Sequence, residues 1–542
     1  MAEARFQTRE AVEADVDQIR DVYIATYGAD YAYPQYYDPD LLKRLVYSDD
    51  TIVLVAEDST SGQIVGAASV ILDIGAYGDL VGEFGRLVVH PDARRQGIGA
   101  LLMEARLSRV QDRLHVGLVE ARVSHPYSQR IASAHGFLPV GFFPQKLLLT
   151  GRESVGLWAQ YFGEGLSLRK NHPRVVSEAY PLAASVLENI CLASDVIVDE
   201  DSAPYPPISE FAIDELTTDG YSALLRFERG RVRHREVFGS LRLHYGLFKM
   251  RAKHSNYLLA RDAGRLVGAI GFTIDNNEKA VQIFELISVG EPPIRFLIHE
   301  LERRCREEWD IAYLEIGVSG HAPRMQRTLV EHGFIPSAYI PALVFHDVER
   351  LDVIKMAKLL VPFDPGDLHF VDEALPIVEP VIAEFNSRNL APRIAASLEE
   401  ATIFADLTDE QRTRLATECT VCRFAPGQTV FAEGSREAHA HVVLRGDVVV
   451  AVGDPPSPVG TVGSRQCLGE ISLISALPHS ATAIAKNEVE TASLSHEGLH
   501  ALVRKRPDIG VVIYRNLARD LGKKLQQSDH RLAELARHNG NS

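Results

Sequence analysis

The sequence predicts an α/β (α+β) multidomain chain, with two tandem copies of one mixed-layer domain followed by a β-sandwich or jelly roll that ends in a long helix. Three observations carry this: an ordered internal repeat, a strand, glycine loop and helix in the first copy, and a change of texture after residue 361 to short strands with frequent glycines. The length of 542 residues exceeds one core, and about 150 residues per domain gives about three or four domains.

The repeat comes first. Gly62-Gln-Ile-Val-Gly-Ala67 recurs as Gly264-Arg-Leu-Val-Gly-Ala269, and Glu83 with Leu87 as Glu285 with Val289. Glu120 with Val123-Ser124 recurs as Glu315 with Val318-Ser319, and His135-Gly-Phe-Leu-Pro139 as His332-Gly-Phe-Ile-Pro336. These four anchors keep one order, which two copies of a domain explain and chance does not. In each copy a helical start precedes a hairpin, such as Thr51–Ala56 and Ile64–Leu72 around Asp58–Gly62. A strand, a helix, a strand and a helix closing at His-Gly-Phe follow. Val361-Pro-Phe-Asp-Pro-Gly366 and Pro376, Pro380 and Pro392 read as a connector. The expected boundaries are 1–152, 153–360, a linker over 361–395, and 396–542.

Hydrophobic residues at 46% and charged residues at 24% fit a soluble globular chain. The net charge of -16 disfavours nucleic acid, so no DNA partner is expected. One basic run, residues 226–253, reads as a solvated face, an internal interface or a dock for an acidic partner. The cysteines, Cys191, Cys305, Cys419, Cys422 and Cys467, are sparse and odd in number, which points to a reducing compartment. The lone Cys419-Thr-Val-Cys422 has no second pair to complete a zinc site, so no metal is expected. No leader pattern and no stretch of about 18 apolar residues occurs, so a cytoplasmic protein without a membrane partner is expected.

In the first copy, a strand over Glu83–Val89 leads through His90-Pro91-Asp92-Ala93 into Arg94-Arg95-Gln96-Gly97-Ile98-Gly99, and a helix opens at Ala100. Apolar residues at 98, 101, 102 and 105 give that helix a buried stripe. Glycines at its first turn allow close backbone approach, and the free N–H groups with the positive dipole end suit a pyrophosphate. The Gly-Lys-Ser/Thr of a Walker loop is absent, and Leu102 stands where a dinucleotide fingerprint needs its third glycine.

Leu87-Val88-Val89-His90-Pro91 with Arg94–Gly99 and the closing Gly136-Phe137 resembles the GNAT superfamily of acyl-CoA N-acyltransferases over most of residues 5–150. The resemblance implies acetyl-CoA with its pyrophosphate on the amides of residues 95–100, from Arg95 to Ala100, and its pantetheine along Leu87, Val88 and Val89. It also implies direct transfer from the thioester to an amine of a protein or a small molecule, deprotonated by a carboxylate. Glu83 and Glu120 are the candidates by position, each with an alternative as a solvated strand carboxylate. Where many members have a tyrosine acid before the final Gly-Phe, this chain has Ala132, and His125 replaces the usual asparagine. Tyr127, Ser133 or solvent remain as proton donors. Tyr27, Tyr31, Tyr33, Tyr36 and Tyr37 crowd the region that borders the acceptor in this family.

The second copy has Gly290-Glu-Pro-Pro-Ile-Arg-Phe-Leu297 in place of the loop. Its two prolines remove amide donors and Glu291 would repel phosphate, so a degenerate scaffold or acceptor-recognition domain is expected.

Phe424-Ala-Pro-Gly427, Val430-Phe-Ala-Glu-Gly434, Val442-Val-Leu-Arg-Gly446 and Leu468-Gly-Glu-Ile-Ser-Leu473 resemble the cyclic nucleotide-binding domain. The resemblance implies a cup built on Gly469, Glu470, Ile471, His479, Ser480 and Ala481, with cAMP as the effector. His479 stands at the family's arginine position and cannot supply a permanent forked charge, leaving weak, rearranged or lost binding open. Ile513, Leu517, Leu521 and Leu525 mark one apolar helix face, with Leu532 and Leu535 beyond, for packing on its own domain or for a homodimer. The parts resemble bacterial cAMP-responsive protein lysine acetyltransferases in a different order. A non-catalytic CoA- or nucleotide-sensing scaffold and a small-amine acetyltransferase are the alternatives.

Overall fold

The structure is a computed structural model that describes residues 5–28, 33–73, 78–149, 151–207, 210–216, 236–238, 257–361, 363, 368–436, 438–453, 455–475 and 477–539. The basic run of 226–253 and Tyr31 therefore lie almost wholly outside the described residues, with only 236–238 of the run inside. The chain divides into two compact units, Met1–Glu384 and Phe385–Ser542.

The first unit is built as two halves on one continuous sheet. The first half contributes β1 (Phe6–Glu10), β2 (Thr51–Asp58), β3 (Gln63–Asp73), β4 (Val81–Val89), β5 (Val116–Arg122), β6 (Leu138–Leu148) and β7 (Arg152–Tyr161). A small parallel pair, β8 (Arg174–Val175) and β9 (Ile197–Val198), follows. The second contributes β10 (Ala212–Glu215), β11 (Val237–Phe238), β12 (Tyr257–Asp262), β13 (Arg265–Asp275), β14 (Ala280–Ser288), β15 (Tyr313–Ser319), β16 (Ile335–His346) and β17 (Glu349–Leu359). The sheet runs β1-β2-β3-β4-β5-β7-β6 and then β16-β17-β15-β14-β13-β12-β10, so the second half repeats the order of the first in reverse. β7 completes the first half between β5 and β6, which moves the expected boundary at residue 152 beyond Tyr161.

The two halves join where β6 meets β16, at Gly141 opposite Ala338. A Cβ at Gly141 would stand 2.1 Å from the Ala338 Cβ, so the close approach requires glycine there.

Helices α1 (Val16–Tyr27), α2 (Pro39–Val46), α3 (Ile98–Val110) and α4 (Tyr127–Ala134) belong to the first half. α5 (Tyr180–Asn189), α6 (Pro292–Glu307) and α7 (Pro323–Glu331) belong to the second. The buried face of α3 is Ile98, Leu102, Met103, Arg106 and Val110, so the expected stripe is rotated and an arginine sits within it. Arg106 Nη1 donates to the carbonyls of Ser69 (3.4 Å) and Gly85 (3.2 Å), beside the register shift between β3 and β4.

Leu375–Glu400 forms one helix (α8) where the prolines suggested an open linker. Its residues Ile377, Val378, Val381 and Phe385 recur at helical spacing and are all buried, which outweighs the proline signal. The preceding segment is tied to the first half. Gln129, fully buried in α4, donates to His369 O (2.7 Å) and accepts from Val371 N (3.1 Å), and His369 N donates to Val123 O (2.7 Å).

The second unit is a sandwich of two four-stranded sheets. Its strands are β18 (Thr420–Phe424), β19 (Thr429–Phe431), β20 (His439–Arg445), β21 (Val448–Val452), β22 (Ser457–Val462), β23 (Cys467–Leu468), β24 (Thr482–Ala485) and β25 (Val489–Ser495). They order as β18-β25-β20-β23 and β19-β24-β21-β22. α9 (Asp409–Thr417), α10 (Glu470–Ser475), α11 (His496–Lys505) and α12 (Pro507–Asn539) complete it. On α12, Ile513 and Leu517 are buried in the core with Leu415, Leu499 and Leu502, whereas Leu521 is exposed. The side chains of Leu525, Leu532 and Leu535 lie outside the described residues. Among the described residues no helix is long and apolar enough to cross a membrane.

Candidate active site

The geometry begins with the divergence of two parallel strands. β4 and β5 pair at Val81–Val116, Gly82–Gly117 and Glu83–Leu118, and beyond Glu83 the pairing stops. A bulge at Arg86 (φ 58) bends β4 away, and its released carbonyls find other donors. Tyr23 Oη donates to Arg86 O (2.7 Å), and Arg106 serves Gly85 O as described. Leu87, Val88 and Val89 continue β4 past the bulge, leaving an edge on the splayed side.

The loop after β4 exposes its backbone and two arginines at the start of α3. Arg94, Arg95, Gln96 and Gly97 are exposed, Ile98 is buried as an anchor, and Gly99 and Ala100 are half-buried. Gly97 is the N-cap of α3 at φ 80 and ψ 0, a left-handed conformation that L side chains resist. The helix ladder opens with Leu101 N donating to Gly97 O (3.0 Å), so the amides of Ile98, Gly99 and Ala100 precede it. Arg5 Nη1 donates to Gln96 Oε1 (3.2 Å), which ties the loop to β1.

Glu83 and Glu120 both line a cavity of about 110 Å³ that lies between the two halves. Each is ion-paired: Glu83 to Arg86 (3.2 Å) and Glu120 to Lys146 (2.5 Å). Lys146 also meets Glu315 of the second half (2.9 Å), and Lys355 meets Glu315 from the other side (3.0 Å). The repeated glutamates thus face one another across a lysine. Burial pushes the Glu315 carboxyl up, but Lys146 and Lys355 overcome it and hold it at about 2. Burial disfavours the Lys146 ammonium, and Glu120 and Glu315 more than reverse this, so it stays charged.

Strand register corrects one expected equivalence. Glu83 pairs with Ile71 across β3, and Gly66 corresponds to Gly268. The same offset takes Ile71 to Thr273, whose partner on β14 is Gln282 rather than Glu285. Gln282 lines the cavity, while Glu285 accepts from Tyr257 Oη (2.8 Å). At the matching register position of the second half, an uncharged amide stands where the first half has Glu83.

Among the described residues the second half shows no matching open cleft. β14 and β15 pair in parallel over Ala280–Ile283, and where they would diverge β11 pairs with β15 at Val318 and Gly317. Pro292 and Pro293 open α6, and Glu291 at its N-cap is held by Arg324 (2.6 Å).

Around α4, Ala132 is fully buried and Tyr127 is exposed. His125 Nδ1 and Ser133 Oγ are buried with no hydrogen-bond partner among the described residues. Burial and then Arg122 hold His125 below the usual imidazole range, so it is neutral near pH 7 and no imidazolium acid. Of the tyrosines, Tyr23 stacks on Tyr36 (4.5 Å), and Tyr33 lines the cavity under the Arg86 guanidinium (3.9 Å). The sequence did not single out Lys146, Arg86 or Glu278, all of which line the cavity.

In the second unit, Gly469 (φ 80) leads into α10, which Glu470 and the exposed Ile471 begin. His479 is 4% exposed, its ring stacked on Phe431 at 3.8 Å and 12° and its Nδ1 3.2 Å from Ser472 Oγ. The imidazole is thus part of the core, while Ser480 is exposed and Ala481 half-buried beside it. Burial, with His439 and His479 nearby, lowers the His441 pKa to about 4.

Comparison with known proteins accords with this division. The acetyltransferase (GNAT) domain matches residues 49–137, and the cyclic nucleotide-binding domain matches residues 421–506. A cGMP-dependent protein kinase of Plasmodium berghei is 28% identical over 193 residues, which are 36% of this chain and 21% of the kinase. A CRP-like cAMP-activated global transcriptional regulator of Mycobacterium tuberculosis is 26% identical over 141 residues, 26% of this chain and 61% of the regulator. The matched segments thus span only part of these curated relatives. A GNAT superfamily phosphinothricin acetyltransferase from Sinorhizobium meliloti, solved in complex with AcCoA, is 21% identical, covering 30% of this chain and 92% of that one with a TM-score of 0.27. The chain joins a domain of the GNAT acetyltransferase family to a C-terminal domain of the cyclic nucleotide-binding family.

Proposed function

We propose that this protein is an acetyl-CoA-dependent N-acetyltransferase whose first half carries the cofactor and whose C-terminal domain regulates transfer to an amine. The observation that carries the reading is the splayed β4–β5 edge beyond Glu83, followed by the left-handed Gly97 at the start of α3. Backbone donors on the loop suit a pyrophosphate, and the β4 edge suits the amide-bearing arm of the cofactor. Bound acetyl-CoA supplies the thioester; the chain's own residues hold it, position the amine and take its proton. The second half would serve the acceptor side, since β11 occupies its cleft and prolines open α6.

Regulation is supported by the cyclic nucleotide-binding match, with cAMP the effector to test first. The buried His479 argues for a cup that differs from the arginine-based one. The segment before α8 is hydrogen-bonded to Gln129 of α4 and to Val123 O after β5, which anchors the chain leading into α8 on the active half. Incubating the full chain with acetyl-CoA and candidate acceptor proteins and amines, with and without cAMP, and analysing products by mass spectrometry tests the proposal. Amine acetylation that responds to cAMP supports it, and absence of acetyl-CoA binding overturns it.

A further inference from the structure

The cavity between the halves contains a carboxylic acid that the first half does not supply. Glu278 lies in the turn between β13 and β14 of the second half and is 8% exposed, yet its residue lines the same cavity as Glu83 and Glu120. Its backbone is fixed from two sides. Asp275 Oδ1 accepts from Asn277 N (2.7 Å) and Glu278 N (3.1 Å), and Arg152 Nη2 donates to Glu278 O (3.0 Å). Its carboxyl is hydrogen-bonded to the phenol of Tyr33, a residue of the first half.

The other cavity carboxylates are committed. Glu83 is held by Arg86, Glu120 by Lys146, Glu315 by Lys146 and Lys355, and Asp275 caps the turn. An ion-paired carboxylate is a poor base because its partner stabilises the anion. Glu278 has the opposite surroundings: burial and the neighbouring Asp275 push its pKa up to about 7, against the Tyr33 hydrogen bond and the more weakly acting Lys146, with Glu120 adding to the rise. A general base works best when its pKa lies near the operating pH.

We propose that this cavity is the acceptor pocket of the enzyme and that Glu278, supplied by the second half, receives the proton of the bound ammonium. The inference rests on the N-acetyltransferase reading. A volume of about 110 Å³ admits the tip of an alkyl chain rather than a folded surface, and five carboxylates face three cations there, which suits an unbranched primary amine. The proton passes from the ammonium to the Glu278 carboxylate. The freed amine attacks the thioester carbonyl, the C–N bond forms, the C–S bond breaks, and CoA leaves as a thiolate that takes one proton. A second proton is lost from the nitrogen to water as the amide forms. The acid form of Glu278 can return its proton to the thiolate or to water, so the sum is one amide, one thiol and one proton released. The arrangement makes the second half part of the catalytic site although it holds no cofactor.

The test uses the full chain with acetyl-CoA and two probe amines, spermidine and Nα-acetyl-lysine amide, following free thiol from about pH 5.5 to about pH 9. The wild type is expected to acetylate at least one probe with an inflection in kcat/KM near 7. Glu278→Gln is expected to lose that inflection and about 10²-fold in kcat, with acetyl-CoA affinity by calorimetry within about twofold. Glu278→Asp keeps a carboxyl, and should keep the inflection with a smaller loss. A Glu278→Gln protein with wild-type kcat and the same inflection overturns the proposal. Acetyl-CoA binding by a wild type that transfers to neither probe overturns the assigned acceptor class. Absence of acetyl-CoA binding overturns the N-acetyltransferase reading itself.

Discussion

A buried carboxyl with a raised pKa lowers stability at neutral pH, and that effect can be measured without any substrate. Glu278 stands at about 7 in the folded chain against 4.5 for an unperturbed glutamate. Between those values the folded state holds more protons than the unfolded one, so stability falls as pH rises from about 4.5 to about 7 and stays reduced above it. At about 1.4 kcal/mol per unit the full penalty is about 3 kcal/mol, of which about 2–3 kcal/mol appears between pH 5 and pH 8. Glu278→Gln removes the titration while keeping the shape and a partner for Tyr33. At about 2 cal/mol/K per residue, a unit of 384 residues shifts its melting temperature by about 1 °C per kcal/mol. Calorimetric melting of wild type and variant should therefore show the first-unit transition of Glu278→Gln rising relative to wild type by about 3 °C on going from pH 5 to pH 8. A difference that is the same at both pH values, or one of opposite sign, refutes the reasoning.

Gly97→Pro cannot reach φ 80, and proline also constrains the preceding residue, so acetyl-CoA binding should be lost while melting of the second unit is unchanged. Gly141→Val would drive a side chain into Ala338, and chemical denaturation should show a loss of about 1–3 kcal/mol in the first unit. Gln129→Leu leaves the His369 carbonyl and the Val371 amide without their partners, at a cost of about 1–3 kcal/mol each. Hydrogen exchange should then quicken at Val371, and any response of acetylation to cAMP should weaken.

Much of this architecture was legible in the sequence for identifiable reasons. The turn at Arg94–Gly99 was legible because glycines mark a tight passage from strand to helix, and Gly97 takes a left-handed conformation at the start of α3. The hairpin over Thr51–Leu72 and the helices closing at His135 and His332 were legible from period and turn chemistry. Glu285 was matched to Glu83 because sequence offset ignores the bulges; the register puts Gln282 there. Pro376 and Pro380 suggested a connector, yet apolar residues at helical spacing made α8. Arg106 could not be foreseen in a buried stripe, since its acceptors are carbonyls from distant strands. Glu278 sits in an ordinary Asn-Asn-Glu-Lys turn, and only the apposition of the two halves gives it a role.

With one half holding acetyl-CoA and the other completing the acceptor site, as proposed, the full chain should take up a single acetyl-CoA. Calorimetric titration of the full chain with acetyl-CoA reads this stoichiometry. One site per chain is expected. Two sites would contradict the blocked second cleft, and no binding would contradict the enzyme.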